Sequence, residues 1–239
     1  MIARPILFSG AMVRALLDGS KTQTRRAVKQ QPPAGHSFAG WCVSSTHRSD
    51  EGKATWSAGE GPFMRDSHRV RCPYGQPGDR LWVRETFGYV SPDEFERPHA
   101  ECNIEYRANL PLGCTDRPGS WPVDECAGDP ERPAWRPSIH MPRAASRILL
   151  EIVSVRVERL HDISEADAIA EGGRFVDFGK NDFGQQQPGW RCDRLPSSAD
   201  DALDSAKWAY ANLWESINGA GSWDANPWVW VVEFKRVMT

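Results

Sequence analysis

The stretch Gly19-Ser20-Lys21-Thr22-Gln23-Thr24-Arg25-Arg26 concentrates a lysine, two threonines and two arginines in six residues. A threonine hydroxyl is a poor nucleophile until an adjacent base takes its proton, and a partly desolvated lysine can be that base. Lys21 and Thr24 have the residue types and spacing for such a pair. The same residues would also suit a solvated turn running into an ordinary strand, with threonine serving β-propensity and the cations solubility.

The flanking sequence says how the pair would be positioned. Ser9 is a helix N-cap by type, and Met12, Val13, Leu16 and Leu17 recur behind it at helical spacing. Gly19 falls where a left-handed residue ends a helix. If a strand follows, Thr22, Thr24 and Arg26 share one face and Lys21, Gln23 and Arg25 the other. A twist, or a coiled start at Lys21, would be needed to swing the ammonium group back toward Thr24.

The 239-residue chain is soluble in composition, 40% hydrophobic and 26% charged. No apolar run has the length of a membrane span, and Ile6-Leu7-Phe8 is too short for a secretory core, so a cytoplasmic protein with no membrane partner and reduced cysteines is expected. The net charge of −3 is unevenly spread. Residues 1–30 hold six cations against Asp18 alone, whereas residues 91–142 hold ten acids against five arginines. A basic edge of this kind suits a bound anion or phosphate. Phosphate-cradling loops, dinucleotide-binding glycine fingerprints and G-x-S-x-G elbows are missing, which disfavours a nucleotide-driven motor, a dehydrogenase and an α/β-hydrolase.

Along the chain, 4–8 reads as a short strand. Residues 30–71 mix Pro32-Pro33 with scattered Gly and Ser and read as irregular. Gly75-Gln76-Pro77-Gly78-Asp79 is a tight turn before the strand-forming run Leu81 to Phe87. The segment 91–142 carries nine of the eighteen prolines, so it is mostly non-regular, with Trp121 and Trp135 as pins and Ile104-Glu105-Tyr106 as a brief strand. Residues 146–160 form the best strand candidate. A short helix follows, with Ser164 as N-cap, Glu171 near its end and Gly172 as its stop. Residues 175–198 read as a loop, and 199–217 as an amphipathic helix with Ala206, Ala209, Tyr210, Leu213, Trp214 and Ile217 on its apolar stripe. Trp228 to Lys235 closes the chain as a strand, and Trp208, Trp214, Trp228 and Trp230 are expected in the core.

The order strand, helix, G-x-K-x-x-T-x-R, G-D-x-L-x-V, long strand, D-I-S-E-x-x-A-x-x-E-G and W-V-V-E-F resembles the ASCH superfamily, in particular its larger phage and prophage members. The resemblance covers 4–29, 75–87, 146–172 and 203–237. It implies an α+β fold of PUA-like type, a small β-barrel with flanking helices. A single domain would then have a core at 1–29, 75–90, 143–172 and 199–239, with peripheral insertions at 30–74 and 91–142. Within that superfamily the small bacterial N4-acetylcytidine amidohydrolases use a lysine, a threonine and a glutamate, which map to Lys21, Thr24 and Glu171. The implied chemistry is removal of an acyl group from an N4-acylated cytidine or related modified nucleoside. Thr24 would be the nucleophile, Lys21 the base and Glu171 the group that orients or charge-balances it, with no cofactor. Arg26 matches the motif arginine, and Glu85 is a reserve carboxylate. Arg26, Trp82, Glu85, His140 and Arg143 are the candidates to hold the substrate. Other superfamily members look like RNA-binding modules, so a non-catalytic RNA or modified nucleic-acid binder stays open. A phage accessory protein acting on a protein partner through 91–142 is a third possibility.

Two further constellations bear on function. Cys42, His47, His68 and Cys72 form a C-x4-H … H-x3-C pattern that could hold a stapling zinc, though without a C-x2-C knuckle. Cys102, Cys114 and Cys126 are evenly spaced with no nearby fourth ligand. In Trp135-Arg136-Pro137-Ser138-Ile139-His140-Met141-Pro142-Arg143, an aromatic, two arginines and a histidine could stack a base and hold phosphate, or serve only as anchors and solvated charges.

Overall fold

Five segments assemble the central sheet: β1 (Ala3–Leu7), β2 (Gln23–Ala27), β6 (Arg80–Arg84), β9 (Leu149–Arg159) and β12 (Trp228–Val237), in the order β1-β6-β9-β12-β2. The computed structural model describes residues 2–58, 67–91, 98, 100–110, 118, 134–180, 183–192 and 203–237. The chain is α+β, mostly strands with three helices among the described residues: α1 (Gly10–Leu17), α2 (Glu165–Ala170) and α3 (Ala206–Asn218). None of these helices is long and apolar enough to cross a membrane. Among the described residues the sheet is open, with β1 and β2 as its edges.

β1 runs parallel to β6, and the other neighbours in the sheet are antiparallel. The long β9–β12 pairing slips by one residue at Glu233/Phe234, leaving Val153 of β9 unpaired and 52% exposed. Such a bulge bends a strand and increases its twist. One continuous core joins Leu81, Leu150, Ile152, Val229, Trp230 and Val232 of the sheet to Val13 of α1 and Tyr210 of α3. Its burial is the main stabilising contribution.

Local sequence explains the helix ends. Ser9 caps α1 through Met12 N–H, and Gly19 takes the left-handed conformation (φ +81°) just past its end. Ser164 and Asp167 form a reciprocal capping box on α2. The carboxylate of Glu165 accepts from Ala206 N–H at 2.8 Å, so one short helix caps the start of the next. The stripe of α3 is buried at Ala206, Ala209, Tyr210, Leu213 and Trp214. Ile217 (54%) and Trp208 (58%) are exposed instead, because Trp208 lies off that stripe and Ile217 falls in the last turn. Trp214 and Trp230 are core residues as expected, and Trp228 is partly buried against the core.

Two expectations of irregular structure give way to strands. Within 30–71, β3 (His36–Trp41), β4 (Ala54–Ala58) and β5 (Ser67–Val70) form a three-stranded antiparallel sheet. Its strands are too short to show a period by themselves; their aromatics make the connection, with Trp56 (0% exposed) ringed by Phe38, Trp228 and Trp230 at 5.8–6.2 Å. Within 175–198, β10 (Arg174–Lys180) and β11 (Gln186–Arg191) pair as an antiparallel ribbon, with Phe175 against Trp190 across it. β7 (Phe87–Val90) pairs with β8 (Asn103–Tyr106), the brief strand foreseen at 104–106. Trp121, Cys114 and Cys126 lie outside the described residues.

Candidate functional site

Three backbone connections fix the Lys21 turn. Lys21 N–H donates to the Ala15 carbonyl of α1 (2.9 Å), Thr22 N–H to Ala170 at the end of α2 (2.9 Å), and Phe234 N–H of β12 to the Thr22 carbonyl (2.9 Å). The motif is therefore clamped between two helices and a strand before it enters β2. Gly172 makes this approach possible. Its φ is +105°, and a Cβ there would sit 3.3 Å from the Ala15 Cβ and 3.7 Å from the Lys21 Cβ.

Lys21 and Glu171, 150 residues apart, meet directly. The ammonium donates to Glu171 Oε2 at 2.8 Å and to the Glu171 backbone carbonyl at 2.7 Å. Both side chains are buried, at 0% and 2% exposure. Burial lowers the lysine pKa below its ordinary value, and the Glu171 carboxylate offsets only part of that fall. Lys21 Nζ also lies 5.6 Å from the Phe8 ring centre.

Arg25 extends the pair into a network. One terminal nitrogen reaches Glu171 Oε1 at 3.5 Å, and the other is 3.1 Å from both Glu158 Oε2 and Asp167 Oδ2. Gln23 donates to the Asp167 side chain and carbonyl, and Arg156 joins Glu158, Asp167 and Glu233. Burial pushes the Asp167 carboxyl up, but hydrogen bonds from Gln23 and Ser164, with the Arg25 charge, bring it down to about 2. Lys21, Gln23 and Arg25 thus all face α2, as their alternation requires. Gln23 and Arg25 were legible only as sharing a strand face with Lys21, and Asp167 only as an acid in the first turn of the short helix, not as a network around Glu171.

Thr24 lies on the opposite face of β2, across from Val232. It is 0% exposed, and among the described residues its hydroxyl has no hydrogen-bond partner. The hydrogen bonds of Lys21 go to Glu171 and not to Thr24. The strand begins at Gln23 without the twist that would turn the ammonium toward the hydroxyl. Arg26, on the same face as Thr24, spans the open edge of the sheet. Its guanidinium donates to the Leu7 carbonyl of β1 (2.8 Å) and the Arg25 carbonyl of β2 (3.3 Å), and lies 5.3 Å from the Phe8 ring centre.

A cavity of about 360 Å³ opens at this edge, lined by Phe8, Arg25, Arg26, Glu171, Tyr210 and Trp214 among others. Neither Lys21 nor Thr24 is in its wall. A larger cavity of about 710 Å³ lies elsewhere, beside Arg4, Trp41 and Asp79, away from these groups.

The other candidates sit apart. Glu85 (1% exposed) is held by Arg147 through two bonds of 2.9 Å. Trp82 lies 5.4 Å from the Arg84 guanidinium and 5.8 Å from that of Arg143, with His140 exposed in the turn Ser138–His140. Arg84 also binds the Ile139 and Met141 carbonyls, fastening this segment to β6. Cys42 and Cys72 line the larger cavity, while His68 bonds to the Gln30 carbonyl (2.9 Å) and packs on Trp56. Among the described residues no three His, Cys, Asp or Glu side chains converge as a metal-binding set, so Cys42, His47, His68 and Cys72 do not form one.

Comparison with family models, with curated proteins and with solved structures returned no match for this chain.

Proposed function

We infer that the chain is an amidohydrolase that removes an acyl group from an N4-acylated cytidine or a related modified nucleoside, on an ASCH-type, PUA-like fold. The observation that carries this reading is the buried Lys21–Glu171 pair, whose glutamate lines a cavity of nucleoside size. A lysine whose pKa is lowered by burial has a larger neutral fraction near pH 7, which is what a general base needs. The order of motifs shared with the ASCH superfamily supports the same assignment.

In the proposed reaction Thr24 Oγ1 bonds to the acyl carbon while Lys21 accepts the hydroxyl proton. The carbon–nitrogen bond then breaks, and the proton passes from Lys21 to the departing amine. Water hydrolyses the acyl-threonine ester, releasing the acid and restoring the hydroxyl. Glu171 orients the ammonium and balances its charge. Because Thr24 is sealed and has no bond to Lys21, substrate entry has to turn this hydroxyl toward the base. Incubation with N4-acetylcytidine is expected to yield cytidine and acetate, with turnover abolished and binding kept in Thr24→Ala. Binding with no release by the wild-type protein would overturn the hydrolase reading.

That same sealed position of Thr24 favours a second reading, a non-catalytic module for RNA or modified nucleic acid. Its signature is association that weakens steeply as salt rises, because released counterions drive phosphate-led binding.

A further inference from the structure

Buried polar groups in folded proteins are almost always hydrogen-bonded, so one left open at a cavity wall needs a reason. Most polar groups around the 360 Å³ cavity are satisfied. Glu171 is held by Lys21 and Arg25, Arg26 by two carbonyls, and the Asn218 amide donates to the Trp214 carbonyl at 2.9 Å. Tyr210 and the Nε of Arg25 are exceptions. Tyr210 projects from the buried stripe of α3, is 3% exposed, and lines the cavity. Its hydroxyl makes no hydrogen bond among the described residues, although its ring is packed at 6.3 Å from Trp214 and 6.4 Å from Trp223. Its oxygen is not among the sealed polar atoms and opens onto the cavity, where a ligand acceptor can take the place of water. Arg25 lines the same cavity, and its buried Nε has no acceptor among the described residues.

We propose that Tyr210 is a ligand-binding residue, its hydroxyl donating to an oxygen acceptor on the molecule that fills this cavity. The identity of the second open group fixes the ligand chemistry. A guanidinium nitrogen can only donate, so the matching ligand atom is an acceptor. A carbonyl oxygen of an acyl group or a pyrimidine ring has this character. The apolar remainder of the wall, Phe8, Met12, Leu213 and Trp214, suits the faces of a planar base. The inference rests on the cavity being the substrate site of the proposed hydrolase, and it names the contact that selects a carbonyl-bearing base there.

Tyr210→Phe removes one oxygen and keeps the ring. A hydroxyl retained for folding would lower the melting temperature when deleted; a hydroxyl retained for a ligand leaves it unchanged or raised. A fall of more than about 3 °C overturns the proposal. Calorimetric titration of N4-acetylcytidine into Thr24→Ala and into Thr24→Ala/Tyr210→Phe reads the contact without turnover. The expected result is roughly tenfold weaker binding without the hydroxyl, the loss of one hydrogen bond. Equal affinity overturns the proposal. Tyr210-dependent binding with no cytidine release by the wild-type protein removes the hydrolase reading alone. If N4-acetylcytidine does not bind, the same two variants are titrated with a single-stranded cytidine-containing oligoribonucleotide. The same weakening sustains the Tyr210 contact, and equal or absent binding overturns it.

Discussion

Lys21 is buried with a carboxylate within 2.8 Å, and the two influences on its proton oppose each other. Burial lowers the pKa and prevails; Glu171 raises it. A base must be neutral to accept a proton, so the rate should climb with pH through the lysine pKa. Glu171→Gln keeps the shape but removes the charge that raises that pKa. The rising limb of the pH–rate profile is therefore expected to move to lower pH, together with a fall in rate from the loosened lysine. A limb that stays in place would show that Lys21 is not the titrating base. At this scale the sequence was legible in residue identity but not in contact. Glu171 could be paired with Lys21 across 150 positions through its motif, and the alternation of a strand already set Thr24 on the face opposite Lys21 unless the chain twisted. Strand alternation decides that, and it hinges on whether regular structure begins at Lys21 or at Gln23.

At the scale of elements, two glycines deliver the site. Gly19 ends α1 and Gly172 ends α2, each in a left-handed conformation, and the Lys21 turn is caught between the two ends. Gly172→Ala would force a side chain into a backbone conformation that costs roughly 1–2 kcal/mol. It would also set a methyl group 3.3 Å from the Ala15 Cβ. Chemical denaturation should record at least that loss of stability, and a neutral outcome would mean that α1 and α2 can separate freely around Lys21. Both glycine stops, the Ser9 and Ser164 caps and the long β9 were legible because capping and periodicity are local. The β10–β11 ribbon and the β3–β4–β5 sheet were not, because short strands acquire their order from partners distant in sequence.

For the whole molecule, the aromatic seam between Trp56 and Trp228/Trp230 is what makes the β3–β4–β5 sheet part of the main core. The sequence alone placed 30–74 as a peripheral insertion but offered no sign of how it is anchored. Trp56→Ala should cost about 3–5 kcal/mol, as expected for deleting a large buried ring. Denaturant unfolding of the wild-type chain should follow one transition by tryptophan fluorescence and circular dichroism. Two separated transitions would show that the small sheet is stable apart from the central one. The central sheet, with its open β1 and β2 edges bridged by Arg26, holds the cavity and the Lys21–Glu171 pair in one body. Whether that body performs the chemistry turns on Thr24. The most direct measurement is acid quenching of the wild-type protein during incubation with N4-acetylcytidine, followed by peptide mass mapping. An acetyl ester is expected on the peptide that carries Thr24, removed by hydroxylamine and missing from Lys21→Met. Cytidine release with no acylated Thr24, and undiminished in Thr24→Ala, would contradict this chemistry.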